Sequence, residues 1–110
     1  MSTSDRFAGK VAVITGGTTG IGRAIARRFV SDGGKIVIGA RHDTLFEEIT
    51  QELGADNCWC QVCDVTNRAQ VDALVQAAYD KFNGFDVMFG NAGINLFKDF
   101  LNVTEEEHAR

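Results

Sequence analysis

The 110-residue sequence has no proline, one tryptophan, one tyrosine and two histidines. No stretch is of low complexity, and none reads as an internal linker. A single domain with one core is therefore expected. No apolar run approaches the length of a membrane span, and the opening residues Met1 to Gly9 are polar, without the apolar centre of a secretion signal. The default expectation is a cytoplasmic location. Basic charge is also short: 11 Lys and Arg stand against 15 Asp and Glu, a net charge of -4. General attraction to nucleic acid or anionic membranes is excluded, so any phosphate binding must be local. What is present is a hydrophobic content of 45%, ordinary for a soluble globular chain.

The cysteines are few and crowded: Cys58, Cys60 and Cys63 lie in one short run. An odd number in one segment makes a poor disulfide framework. The Cys60-x-x-Cys63 spacing invites a redox or metal reading. However, the segment alternates like a strand, which directs Cys60 and Cys63 to opposite faces. His42 and His108 are distant in sequence. The cysteines are read as small buried hydrophobes, and no metal site is expected.

Short apolar runs alternate with amphipathic stretches along the chain. Val11 to Ile14 reads as a strand, and Ile21, Ala24, Ile25, Arg28 and Phe29 follow at helical spacing. Ile36, Val37 and Ile38 mark a second strand within Lys35 to Ala40. Leu45, Phe46, Ile49 and Leu53 form the next helical stripe, closed by Gly54. A third strand fits Asn57 to Cys63. Val71, Leu74, Val75, Ala78 and Phe82 make a third helix ended by Gly84, and a fourth strand fits Phe85 to Phe89. After an apolar stretch from Leu96 to Leu101, Thr104 to Glu107 reads as a capping box that opens a new helix. Strand-helix repeated three times before a fourth strand predicts an α/β fold with a parallel sheet.

The turn Thr15-Gly16-Gly17-Thr18-Thr19-Gly20-Ile21-Gly22 joins the first strand to the first helix. Glycines let the backbone turn tightly and approach a pyrophosphate, while the helix N-terminus presents amides and a favourable dipole. A P-loop is ruled out. Gly17 and Gly22 have the required separation, but Arg23 and Ala24 stand where Lys and a hydroxyl residue would be needed.

These residues resemble the short-chain dehydrogenase/reductase family. Thr15-Gly16-x-x-x-Gly20-x-Gly22 is similar to its glycine motif, and Asp64-Val65 to its adenine-contacting pair. Asn91-Ala92-Gly93 is similar to its Asn-Ala-Gly motif, which braces the sheet near the nicotinamide ribose. Gly90 departs from the pattern, standing where the family more often has a second asparagine. The resemblance implies a Rossmann-type doubly wound parallel sheet of which this chain holds the first four strands, in the order 3-2-1-4. It implies a cofactor site of Gly16, Thr18, Thr19, Gly20, Ile21, Gly22, Arg41, Asp64, Val65, Asn91, Ala92 and Gly93.

NAD-preferring Rossmann domains place an acidic residue at the end of the second strand, about 20 residues beyond the glycine turn. Here that strand ends Ile38-Gly39-Ala40, and Arg41 follows. A guanidinium can bind a 2′-phosphate that a carboxylate would repel, so NADP is the expected cofactor, ahead of NAD. Three further residues bear on this. Asp43 could approach the ribose or neutralise Arg41. Thr19 stands where several NADP-dependent relatives carry a basic residue. Arg23 either adds charge to the site or faces solvent.

The family's catalytic serine, tyrosine and lysine come from the part of the fold after the fourth strand. The only tyrosine, Tyr79, lies in the preceding helix with Asn83 four residues on, and Ser2, Ser4 and Ser31 all precede the fourth strand. His108 reads as a surface residue. No catalytic residue is assigned. Residues 1–110 are thus expected to form the N-terminal dinucleotide-binding part of one Rossmann domain, inactive alone and unstable for want of a partner strand beside Phe85, Val87, Met88 and Phe89. The parent protein is expected to be an oxidoreductase that moves hydride between NADP(H) and an alcohol or carbonyl substrate, as a homo-oligomer. The alternatives are a non-catalytic nucleotide-binding pseudoenzyme and a fragment without function.

Overall fold

A strand turns successive side chains to opposite faces, so a strand apolar at every position must be covered on both. Val11–Thr15 (β1) and Lys35–Ala40 (β2) come close to this, polar only at the terminal Thr15 and Lys35, and every residue but Lys35 is buried. The computed structural model describes residues 6–16 and 20–90, and Ile21 by its backbone alone. Between and after these strands come helix Gly20–Ser31 (α1), helix Phe46–Leu53 (α2), strand Cys58–Val62 (β3), helix Arg68–Phe82 (α3) and strand Val87–Phe89 (β4). The four strands form a parallel sheet in the order β3-β2-β1-β4. The expected α/β architecture and strand order are both observed.

The two sheet faces carry separate clusters. On one, Ala12, Ile14, Ile36, Ile38 and Cys58 pack with Ile25, Ala26 and Phe29 of α1 and Ile49 and Leu53 of α2. On the other, Val13, Val37 and Cys63 pack with Leu74 and Ala78 of α3. Helices on both faces make the sheet doubly wound.

Several boundaries differ from the sequence expectation, each for a local reason. The third strand begins at Cys58 rather than Asn57. Asn57 instead donates from Nδ2 to the Leu53 carbonyl at 3.0 Å and accepts from Lys35 Nζ at 2.7 Å. Its far end stops at Val62, although the Cys63 amide still bonds the Ala40 carbonyl. The fourth strand begins at Val87 rather than Phe85, because Phe85 packs edge-on against Tyr79, with ring centroids 6.0 Å apart. Asp86 then takes part through its side chain, Oδ2 accepting the Val11 amide at 2.8 Å. After α3, Asn83 (φ 67°) and Gly84 (φ 132°) both have positive φ, and their amides reach the Tyr79 and Ala78 carbonyls, so Asn83 shares with Gly84 the ending of the helix. In α1 the buried face is Ile25, Ala26 and Phe29. Ala24 and Arg28 are exposed, since Arg28 turns out to bond Asp32 at 3.0 Å.

Of the residues expected to lie uncovered beside β4, Met88 is exposed and Phe85 and Val87 are half-buried. Phe89 is buried, because it points into the cluster beneath α1. The apolar stretch from Leu96 to Leu101 and the capping box at Thr104 to Glu107 lie outside the described residues.

Candidate dinucleotide-binding site

In a parallel sheet all strands end on the same edge, and ligands bind there, where the strand order reverses. The reversal falls between β1 and β4. Thr15, the last residue of β1, is 4% exposed, and its hydroxyl donates to the Phe89 carbonyl at 3.3 Å, tying the two strand ends together. A Cβ at Gly90 would stand 3.1 Å from that hydroxyl. The glycine at this departure from the family pattern therefore fits closely over Thr15.

Gly16 leaves β1 with φ 76°, and its amide donates to the Gly39 carbonyl at 2.6 Å. Gly20 opens α1 with φ 58°, and a Cβ there would meet no atom within 4 Å. Both are backbone shapes that L-residues adopt only with strain. Gly22 is buried. The first turn of α1 contains no acidic residue, so its positive dipole end is not neutralised from within the helix, in contrast to α2, which opens with Glu47 and Glu48. Such a terminus favours a bound anion. Of the remaining expected site residues, Thr18, Thr19, Asn91, Ala92 and Gly93 lie outside the described residues, as does His108, and nothing is described of the Ile21 side chain.

The other end of the edge is built by β2 and β3. Arg41 follows β2, is exposed, and makes no ion pair or hydrogen bond among the described residues. Asp43 does not neutralise it. Asp64 and Val65 follow β3, and Val65 is 59% exposed. Asp64 Oδ1 accepts from the Thr66 hydroxyl at 2.7 Å and the Thr66 amide at 2.9 Å, and Gln70 Oε1 accepts the Asp64 amide at 2.8 Å. Asn67 caps α3 just beyond, accepting the Gln70 amide at 3.1 Å. The Thr66 hydroxyl, then the Thr66 amide, hold the Asp64 carboxyl below its usual range, with a smaller contribution from the Arg41 charge.

This lowered carboxyl has a testable consequence. Asp64 stabilises the fold above its unfolded value of about 3.9, and the contribution is lost as pH falls through the lower folded value. Thr66→Val, which keeps the amide bond but not the hydroxyl, is expected to destabilise at neutral pH. The deficit should shrink in acid, where Asp64 is protonated in both proteins. Urea unfolding at the two pH values checks this, and a deficit unchanged by pH would contradict it.

Arg23 is engaged by α2. Its Nε and Nη2 donate to Glu52 Oε1 at 3.2 and 2.9 Å, and its Nη1 to Glu48 Oε2 at 2.9 Å, while Arg27 pairs with the other Glu52 oxygen. These bonds clamp α1 to α2. Sequence offered two readings of Arg23, a charge added to the site or a side chain facing solvent; the structure shows its guanidinium engaged by Glu48 and Glu52. Tyr79 is exposed on α3, on the helix that sequence excluded from catalysis. Cys58 and Cys60 lie on the α2 side of the sheet and Cys63 on the α3 side, and no group of three metal-ligating side chains occurs among the described residues.

A parallel sheet of order 3-2-1-4 with a glycine turn after its first strand defines a Rossmann-type nucleotide-binding fold. The family model for short chain dehydrogenase matches residues 10–110, and the chain belongs to the short-chain dehydrogenase/reductase family. An uncharacterized oxidoreductase of Mycobacterium bovis is 41% identical over 99 residues, covering 89% of this chain and 40% of the relative. Momilactone A synthase of Oryza sativa subsp. japonica is 46% identical over 90 residues, 82% of this chain and 33% of that protein. Among solved structures, 3-ketoacyl-(acyl-carrier-protein) reductase from Brucella melitensis complexed with NADH superposes with a TM-score of 0.70 at 39% identity. That match covers 74% of this chain and 33% of the reductase. The chain thus spans 33–40% of the length of these curated relatives.

Proposed function

We propose that this chain is the N-terminal, cofactor-binding part of a cytoplasmic, NADP(H)-dependent oxidoreductase acting on an alcohol or carbonyl substrate. The observation that carries the cofactor choice is the end of β2. Ala40 closes the strand without a carboxylate, and Arg41 stands beyond it exposed and unpaired among the described residues. Its charge reaches Asp64 at the end of β3, so it overlooks the same edge as Val65. A guanidinium there is placed to bond a 2′-phosphate. Val65 offers an apolar surface to adenine, and Asp64, held rigid by Thr66, fixes the loop that carries it. Gly16, Thr18, Thr19, Gly20, Ile21 and Gly22 shape the pyrophosphate turn, while Asn91, Ala92 and Gly93 line the nicotinamide ribose. Bound NADP(H) supplies the hydride; the residues of this chain bind and orient it. The serine, tyrosine and lysine of the family's chemistry have no counterpart among these residues, so the chain alone is proposed to bind without turning over. The whole protein is proposed to assemble as a homo-oligomer, in keeping with the family.

Titration with NADPH and NADH, followed by fluorescence or calorimetry, tests this reading. Tighter binding of NADPH is expected, and Arg41→Ala should weaken NADPH by roughly ten- to a hundredfold, the worth of a hydrogen bond to a charged group. NADH affinity should hardly change. Equal affinity for the two cofactors, or an unaltered NADPH preference in the variant, would count against the role of Arg41.

A further inference from the structure

Residues two apart on a strand share a face, and β3 places Cys58 and Cys60 in this relation. Their Sγ atoms are 3.7 Å apart. Cys58 is 2% exposed and Cys60 is half-buried. Both line a cleft of about 380 Å³ between α2 and β3, with Phe46, Thr50, Gln51 and Ala55. Cys60, whose sulfur also lies 3.9 Å from Thr50 Oγ1, is the less buried residue of the two. Among the described strands β3 is outermost and bonds only to β2, so it can shift without breaking a second ladder.

We propose that Cys60 and Cys58 are a peroxide-oxidisable pair that closes into an intrastrand disulfide at the α2–β3 cleft. In the first step the Cys60 sulfur attacks a hydroperoxide ROOH. An S–O bond forms, the O–O bond breaks, and RO⁻ leaves to become ROH with the thiol proton. In the second step the Cys58 sulfur attacks the sulfenic sulfur of Cys60. The S–S bond forms, the S–O bond breaks, and hydroxide leaves as water with the Cys58 proton. The two thiols give up two electrons and two protons, and ROOH is reduced to ROH and water.

Closure requires β3 to bend. Two residues of strand separate the Cα atoms by ~6.6 Å, at the long end of the disulfide range of ~4.4–6.8 Å, so as the sulfurs approach from 3.7 Å to ~2.0 Å the Cβ atoms, as far apart as the Cα atoms on an extended strand, must draw in to ~3.5–4.5 Å. The two thiols are also unequal. Hydrogen bonding with Cys60, then burial, pushes the Cys58 thiol up. Hydrogen bonding with Cys58 lowers the Cys60 thiol against its own burial, with Thr50 adding to the effect. Peroxide selects the sulfur with more thiolate character and more access, and Cys60 is the less buried residue of the pair. Cys63, buried on the opposite face and raised by that burial, serves as an internal reference.

The test is to treat the reduced full chain with stoichiometric hydrogen peroxide, alkylate the remaining thiols, and map peptides by mass. Loss of two hydrogens, a Cys58–Cys60 link within one peptide and an alkylated Cys63 are expected. Cys60 should be consumed several-fold faster than Cys63, and urea should abolish that difference. In Cys58→Ser, a sulfenic acid at Cys60 should persist long enough to be trapped by dimedone, whereas Cys60→Ser should not react there. Oxidation of Cys63 at the rate of Cys60, over-oxidation of Cys60 without a link to Cys58, or links only between chains would each overturn the proposal. The wild-type map alone decides it, even if a serine variant fails to fold.

Discussion

Phe29→Ala is expected to be among the most damaging substitutions in the described core, lowering stability by ~3–5 kcal/mol. Phe29 is 1% exposed and stacks on Phe7 with ring centroids 4.5 Å apart and planes 11° from parallel. Phe7 lies outside every strand and helix and holds the entry to β1 through its amide bond to the Asp32 carbonyl at 2.8 Å. Loss of the Phe29 ring therefore loosens two segments as well as opening a cavity. Gly34 lies against the same ring: a Cβ there would stand 2.3 Å from two Phe29 ring carbons and 3.0 Å from the Phe29 carbonyl oxygen. Gly34→Ala alone should cost ~1–3 kcal/mol by overpacking. Combined with Phe29→Ala it should cost less, because the ring that it strikes is gone, and only the backbone contact remains. Urea unfolding of the four proteins of this cycle measures the coupling. Since small domains hold only ~5–15 kcal/mol in all, the single Phe29 variant is expected to show a large fall in its midpoint. Strict additivity would mean that Gly34 is glycine for some reason other than Phe29.

The parts of this molecule that sequence exposed are those that depend on local period. The almost uniformly apolar β1 and β2 could only be buried strands, and the Leu74-Ala78 row could only be a helix face. Where a residue has a choice of partner, periodicity says nothing. Phe85 looks like the start of a strand, yet it packs on Tyr79 of the preceding helix, and Asp86 replaces a backbone acceptor with a carboxylate. Arg23 looked like a charge beside the glycine turn. The signal that pairs it with α2 was present but non-local. Arg23 and Arg27 are four apart on one helix, Glu48 and Glu52 four apart on the next, and rows of opposite sign at one spacing can face each other. The cysteines show the same limit. The Cys-x-x-Cys spacing singles out Cys60 and Cys63, whereas the alternation of a strand puts Cys58 and Cys60 on one face. At the candidate nucleotide edge, Gly16, Arg41 and Asp64-Val65 could be placed from sequence because a shift of one residue in a strand's end leaves them on the same edge. The hydrogen bonds of Thr15 and Asp64 could not, as they join segments 74 residues apart in the first case and depend on one rotamer in the second.

Ala40→Asp with Arg41→Ala is expected to invert the cofactor preference. Ala40 is 8% exposed at the last position of β2, its carbonyl accepts the Cys63 amide at 2.8 Å, and its strand partner is Val62. The backbone there is pinned on the β3 side, so an added carboxylate extends from a fixed point at the strand end. This is where Rossmann domains selective for NAD carry the acid that bonds the ribose hydroxyls. On the role proposed for Arg41, its removal takes away ~1.5–3 kcal/mol of charged hydrogen bonding to a 2′-phosphate, and a carboxylate bonded to the free hydroxyls adds a similar amount for NADH. At ~1.4 kcal/mol per power of ten, the ratio of NADPH to NADH affinity should fall by about two to four powers of ten. The carboxylate has an additional cost, since Asp64 stands across the same edge and its neighbour Arg41 is gone. Acid at position 40 without the Arg41 change should therefore pair partly with Arg41 and shift the preference less than the double variant. Titration of both cofactors against Arg41→Ala, Ala40→Asp and the double variant separates these contributions. If Ala40→Asp alone matches the double variant, Arg41 plays no part in selection, and the preference belongs to the space at the end of β2.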